Sequence, residues 1–299
     1  MIVAAAARAR ARCLLPAAAR RIAPARAAHA PAAPAALWRA PAQRSLLAAA
    51  APAAAAVAVA AVAARAANAE AAAAAPALEA EPALEPVTKT PVPRAIAVAG
   101  GHRAELVGLG VRQVTLLRVS VYTAALYVDD QVRRRLRASS RWAQEFAADK
   151  LVAGQADARW FAHDLAAADA SGVVALRIEP VRNTDGPHLR NGFERFLNAR
   201  LREEIQRGAF GDADQAAFAR ALDEFRALFP AGVIRKGTPL VFARLPGGRL
   251  HVEIEGRPVG VVDSPVLAEW VIEGYLRTPP ISPPLVASAA DGLQAIARP

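Results

Sequence analysis

From Gly108 to Asp130 the chain reads GLGVRQVTLLRVSVYTAALYVDD, and few folds accommodate such a stretch. Valine, leucine, threonine and tyrosine dominate it, the residue types that suit a pleated, half-buried surface. It reads as two successive strands, 111–119 and 120–128, with a single arginine, Arg112, set among mostly apolar side chains. A third strand is expected over 173–181. Helices are expected over 142–150 and 157–168, anchored by Trp142 with Phe146 and by Trp160 with Phe161. Leu189, Phe193, Phe196, Leu197, Leu201 and Ile205 follow helical spacing up to a stop at Gly208, so a strand passes through a short turn into a long amphipathic helix. A further helix, capped by Asp212 or Asp214, runs through Phe218, Leu222, Phe225 and Leu228 to Pro230.

The period then changes. Residues 240–245 and 250–255 flank Pro246-Gly247-Gly248 as a hairpin, 259–262 add a short strand, and Ser264-Pro265 opens a helix that carries Trp270 and Tyr275. Runs of strands and runs of helices, rather than strict alternation, predict an α+β architecture: an antiparallel sheet layered with helices.

A net charge of +10 on 299 residues raises the question of nucleic acid. The distribution answers it. Nine arginines and no acid precede Glu70, whereas 70–299 hold 28 basic against 27 acidic groups. The folded part is nearly neutral and shows no basic cluster interleaved with aromatics, so nucleic-acid binding is not expected.

An arginine-rich, acid-free, alanine-rich start is the composition of a mitochondrial transit peptide, assigned here to 1–44. Residues 45–65 include about twenty without a charge, enough to cross a hydrocarbon core of roughly 30 Å. They are a candidate transmembrane helix, with a helical continuation of the presequence as the alternative. Residues 66–95 are rich in alanine, proline and glutamate and read as a hydrated tether, which leaves 96–299 as one domain. The only cysteine, Cys13, falls in the presequence. The domain therefore holds no disulfide, thiolate metal site or cysteine nucleophile.

Three blocks carry a resemblance to a known family. Gly108, Gly110, Arg112, Tyr122, Tyr127 and Asp129 stand in the order of the opening strands of chalcone isomerases. VRNTDGPHLRNGF at 181–193 and KGTPLVFARLPGGRLHVEIEGRPVG at 236–260 are similar to later parts of the same family, and most closely to its fungal mitochondrial branch. The resemblance covers 96–299 and implies an open-faced antiparallel sheet backed by helices, with a ligand cleft between them. It also implies a mitochondrial, inner-membrane-tethered protein facing the intermembrane space.

Arg112 occupies the family's arginine position, where a guanidinium holds a phenolate while donors stabilise the developing enolate. Tyr122, with Thr123 beside it, stands where plant enzymes place a threonine. His188 stands where they place a tyrosine, and Arg195 where they place an asparagine. An intramolecular lyase, an isomerase of the chalcone type, would use Arg112, Tyr122 and Thr123. The departures favour a binding protein for a small apolar or phenolic ligand without efficient ring closure. His188, in the first turn of the long helix, together with Arg112 suggests haem b as that ligand, with histidine on the iron and arginine on a propionate. The resemblance to the fungal branch implies haem as well, and plastid relatives imply fatty-acid binding through the same arginine. His102, His163 and His251 show no metal-ligand spacing with one another. Asp129-Asp130 reads as a strand end.

Overall fold

The computed structural model describes residues 81–298 apart from 100, 115–116, 156–158 and 168. The expected presequence, the candidate membrane helix over 45–65 and the first half of the linker lie outside the described residues. Among the described residues, no helix is long and apolar enough to cross a membrane.

Strands β1 (Ala83–Leu84), β2 (Pro91–Val92), β3 (Ala95–Val98), β4 (His102–Val114) and β5 (Val119–Asp129) come first. Four helices follow: α1 (Asp130–Ala138), α2 (Ser140–Glu145), α3 (Ala148–Ala153) and α4 (Arg159–Ala166). Then come β6 (Val174–Pro180), β7 (Thr184–Asp185), α5 (Gly186–Gln206), α6 (Asp212–Ala227), β8 (Val233–Ile234), β9 (Leu240–Leu245), β10 (Arg249–Ile254), β11 (Arg257–Asp263), α7 (Pro265–Glu273) and α8 (Pro283–Ala297). Seven strands form one antiparallel sheet in the order β11-β10-β9-β6-β5-β4-β3. The expected α+β class and antiparallel sheet are what the chain adopts.

The two faces of the sheet differ because side chains alternate along each strand. Tyr122, Ala124, Leu126 and Val128 of β5, with Leu176, Ile178, Leu240 and Phe242, bury against the helices and form the larger core. Ala125, Tyr127, Ala175, Val241 and Ala243 face the other way. Residues 81–93, through Thr88, Val92 and Pro93, pack on that second face before β3 joins the sheet edge, which corrects the described part of the tether expected over 66–95. Val92 is buried there and the Tyr127 hydroxyl donates to the Pro93 carbonyl at 2.8 Å. Glu85, expected to be hydrated, is 1% exposed, and its carboxylate accepts from the Val87 and Thr88 backbone N–H groups instead of from water. The domain therefore includes residues from 81 onward.

Helix boundaries depart from expectation where capping chemistry intervenes. The expected helix over 142–150 is broken between Glu145 and Ala148 by extended backbone at Phe146 and Ala147. Asp129 ends β5, as expected, and also caps α1 by accepting from the Val132 N–H at 2.9 Å. Neither Asp212 nor Asp214 is the cap of α6; Gly211 is, and its N–H donates to Asp214.

The sequence reading missed α8, which lies along β4. Ser282 joins the two, donating to the Val111 carbonyl at 2.8 Å while capping the helix through the Leu285 N–H. Leu285, Val286, Ala289, Ala290 and Leu293 are buried in the contact. Gly108 and Gly110 permit the backbone of this helix to approach closely. A Cβ at Gly108 would sit 2.5 Å from the Ala289 backbone, and one at Gly110 would strike Leu285. Gly110→Val is therefore expected to push α8 off β4 and to lower stability by about 1–3 kcal/mol, as overpacking does. Urea unfolding of the variant beside the parent measures this.

Candidate ligand-binding cleft

The β4–β5 pairing carries a bulge at the end where Arg112 sits. Arg112 pairs with Tyr122 and Gln113 with Ser120, which leaves Val121 as an extra residue on β5. A bulge breaks strict alternation and bends the strand. Val121 and Tyr122, neighbours in sequence, therefore both line one cleft of about 200 Å³, together with Arg112 and Val114 of β4. Helix α5 supplies the facing wall through His188, Leu189, Gly192, Phe193, Arg195 and Phe196, and Tyr275, just beyond α7, closes it. The α5 face is set by its cap, since the Asp185 carboxylate accepts from the His188 N–H and fixes where the first turn begins.

Three polar side chains form a chain within the apolar walls. The Arg112 Nη1 donates to the Tyr122 hydroxyl at 3.2 Å, and that hydroxyl lies 2.7 Å from the hydroxyl of Tyr275. Both phenols are almost fully buried, at 3% and 1% exposure. Burial pushes the Tyr122 phenol up, only partly offset by Arg112, and holds Tyr275 well above the ordinary tyrosine range. Burial works against the charge on Arg112, but the two phenols outweigh it and the guanidinium stays above its ordinary value. The site is thus a fixed cation with phenol groups that remain protonated. Among the described residues, Arg112 has no carboxylate partner.

The structure brings together Arg112, Tyr122 and His188 from the residues singled out in the sequence. His188 is exposed where it meets the cleft. Thr123 does not join them. It lies on the opposite sheet face, buried, with its hydroxyl 3.3 Å from that of Thr88, because β5 alternates normally after the bulge. Arg195 lines the cleft from an exposed position, while Arg190 pairs with Glu194 at 3.3 Å. Sequence reasoning treated Tyr275 as an apolar anchor of a helix. It lies 153 residues from Tyr122, in a turn closed by its N–H on the Ile272 carbonyl, and no local pattern marks it as a cleft residue.

Chemically, such an arrangement stabilises an anionic oxygen at the end of an apolar ligand. Among the described residues lining it there is no carboxylate base, and its phenols are donors rather than proton acceptors.

Comparison with known proteins supports the architecture. The pattern of a family described as "Chalcone isomerase like" matches residues 102–290. The mitochondrial protein "Altered inheritance of mitochondria protein 18" of Debaryomyces hansenii is 27% identical over 202 residues, 63% of this chain. The chain spans 65% of the length of that curated relative. The crystal structure of an Arabidopsis thaliana fatty-acid binding protein superposes with a TM-score of 0.55 at 24% identity, covering 73% of this chain and 99% of the other. At that identity the likeness speaks for the fold.

Removing the Tyr275 hydroxyl should leave the buried Tyr122 hydroxyl with Arg112 as its single partner. Tyr275→Phe is expected to lower stability by about 1 kcal/mol, the contribution of a typical hydrogen bond, in equilibrium urea unfolding.

Proposed function

Since the chain belongs to the chalcone isomerase-like family, we propose that it binds an amphipathic carboxylate of the fatty-acid class, with the head on Arg112 and the tail along the apolar wall. One observation carries this reading: Arg112 is a partly buried cation without an anionic partner among the described residues, set at the end of an apolar cleft beside the Tyr122–Tyr275 pair. A charge removed from water is stabilised by an opposite charge that hydrogen-bonds to it, and a planar guanidinium matches a carboxylate. Leu189, Phe193, Phe196, Val114 and Val121 provide apolar surface for the tail. The Arabidopsis structure, described as a fatty-acid binding protein, agrees with this ligand class.

The same cleft supports haem as a second reading, because His188 lines it together with Arg112. The donor types fit: His188 would hold the iron and Arg112 a propionate, and the iron would supply electron-transfer or small-molecule chemistry. The space fits less well. About 200 Å³ is below the roughly 300–1,000 Å³ of pockets that bury drug-sized ligands, so a porphyrin would have to remain partly outside. A chalcone-type lyase would use the same Arg112 and Tyr122 for a phenolate, without help from Thr123.

Mitochondrial residence is part of the proposal. The acid-free, arginine-rich start of the chain supports it, as does the word mitochondrial in the name of the Debaryomyces relative. A tether to the inner membrane through residues 45–65, facing the intermembrane space, is its finer form.

Decanoate is the probe to use in calorimetric titration. Arg112→Gln should weaken its binding by about 10- to 100-fold, the equivalent of the 1.5–3 kcal/mol of a charged hydrogen bond. Unchanged affinity in that variant would remove the reading. Because Arg112 stays charged and Tyr122 and Tyr275 stay neutral, decanoate affinity is also expected to be flat from about pH 6 to 9. A step in that window would point to a histidine. A Soret shift on haem addition that is lost in His188→Ala would favour haem instead.

A further inference from the structure

Spacing along the sequence gave His163 no partners because its neighbours in space come from another helix. On α4, the His163 Nδ1 lies 2.7 Å from Oε1 of Glu269 on α7. Glu273 follows four residues after Glu269 and so shares its helix face. One donor atom from each of the three residues lies within 4.8 Å of the others.

Glu273 supplies a second, independent observation. It is 3% exposed, and its buried Oε2 has no hydrogen-bond partner. Arg200 Nη2 pairs with that Oε2 and Arg277 Nε with Oε1, each at 3.6 Å and longer than a hydrogen bond, because each guanidinium also has a closer partner: Arg200 in Glu204 at 2.6 Å and Arg277 in Glu203 at 3.1 Å. Burial pushes the Glu273 carboxyl above its usual range. A buried carboxylate without a hydrogen bond is costly, and a bound cation is one of the few things that relieves it.

We propose that His163 Nδ1, Glu269 and Glu273 form a binding site for a divalent cation of the zinc class, clamped between α4 and α7. One imidazole and two carboxylates are a donor set that zinc accepts, and three protein ligands leave a fourth tetrahedral position open. His163 and Glu273 line a cavity of about 190 Å³ together with Arg159, Arg200, Arg207 and Arg277, where water or a small anion would complete the shell. The cavity shares no lining residue with the carboxylate cleft, so the two sites stand or fall separately. Donors around tetrahedral zinc lie about 3.3 Å apart, so the three donor atoms, now within 4.8 Å of one another, would have to adjust around the ion. Arg200 and Arg277, which pair with Glu273 at 3.6 Å, are the competitors of the metal, and their closer pairs with Glu204 and Glu203 weaken that competition.

Titration of the full-length protein with Zn²⁺ by calorimetry, and with Co²⁺ by visible absorption, tests the proposal. One equivalent should bind, with affinity at least about tenfold weaker in both His163→Ala and Glu273→Gln and unchanged in Arg112→Gln. Circular dichroism checks that each variant is folded, and Glu269→Gln replaces any that is not. Absence of binding overturns the proposal, as does equal affinity in all variants, which would place the metal elsewhere. A Glu273→Gln protein as stable as the parent, in which neither takes up zinc, would mean that Glu273 is simply held protonated.

Discussion

The pairing of Arg112 with Tyr122 across β4 and β5 is the constraint on which the cleft depends. Register in an antiparallel pair is fixed once one face is buried, since a slip by one residue would turn every core side chain outward. Here Ala124, Leu126 and Val128 commit β5 to the helical side, and the bulge at Val121 then brings two adjacent residues onto the wall of the same cavity. Helix α8 holds β4 in place from the side, through Ser282 on the Val111 carbonyl and through the glycines that let its backbone approach. Strand geometry thus presents the guanidinium, and packing remote from the cleft keeps it there.

The electrostatic character follows from that placement. Arg112 keeps its charge despite partial burial and donates to the Tyr122 hydroxyl, while burial keeps both phenols protonated. A ligand carboxylate would complete a network that the described residues leave without an anion. A general base, by contrast, would have to come from His188 at the exposed edge, which is why binding fits this cleft better than proton abstraction.

Much of the fold could be read from the sequence, and the reasons are local. Strand β5, the β9–β10 hairpin around Pro246-Gly247-Gly248 and the long α5 with its apolar stripe declare themselves through period and turn residues, whereas the strand expected over 111–119 overran the end of β4, which runs His102–Val114 and turns at 117–118 before β5. What escaped reading depends on distant partners. Residues 81–95 look like a tether by composition, yet Val92 buries and Glu85 finds backbone donors only because a sheet face is there to cover. Tyr275 and the partners of His163 are set by helix packing across 106 residues or more, which no spacing rule captures. Thr123 was drawn into the site by its proximity to Tyr122, and strand alternation sends it to the other face.

The central claim is an ion pair between Arg112 and a ligand carboxylate, and the most direct measurement is the titration of that carboxylate in place. Decanoate labelled with carbon-13 at the carboxyl group can be followed by NMR as the pH of the complex is lowered. An opposite charge within hydrogen-bond reach favours the ionised form, so the bound carboxylate should titrate about one unit or more below free decanoate. A bound signal that titrates at or above the free value would mean that the head group does not meet Arg112, and would contradict the account.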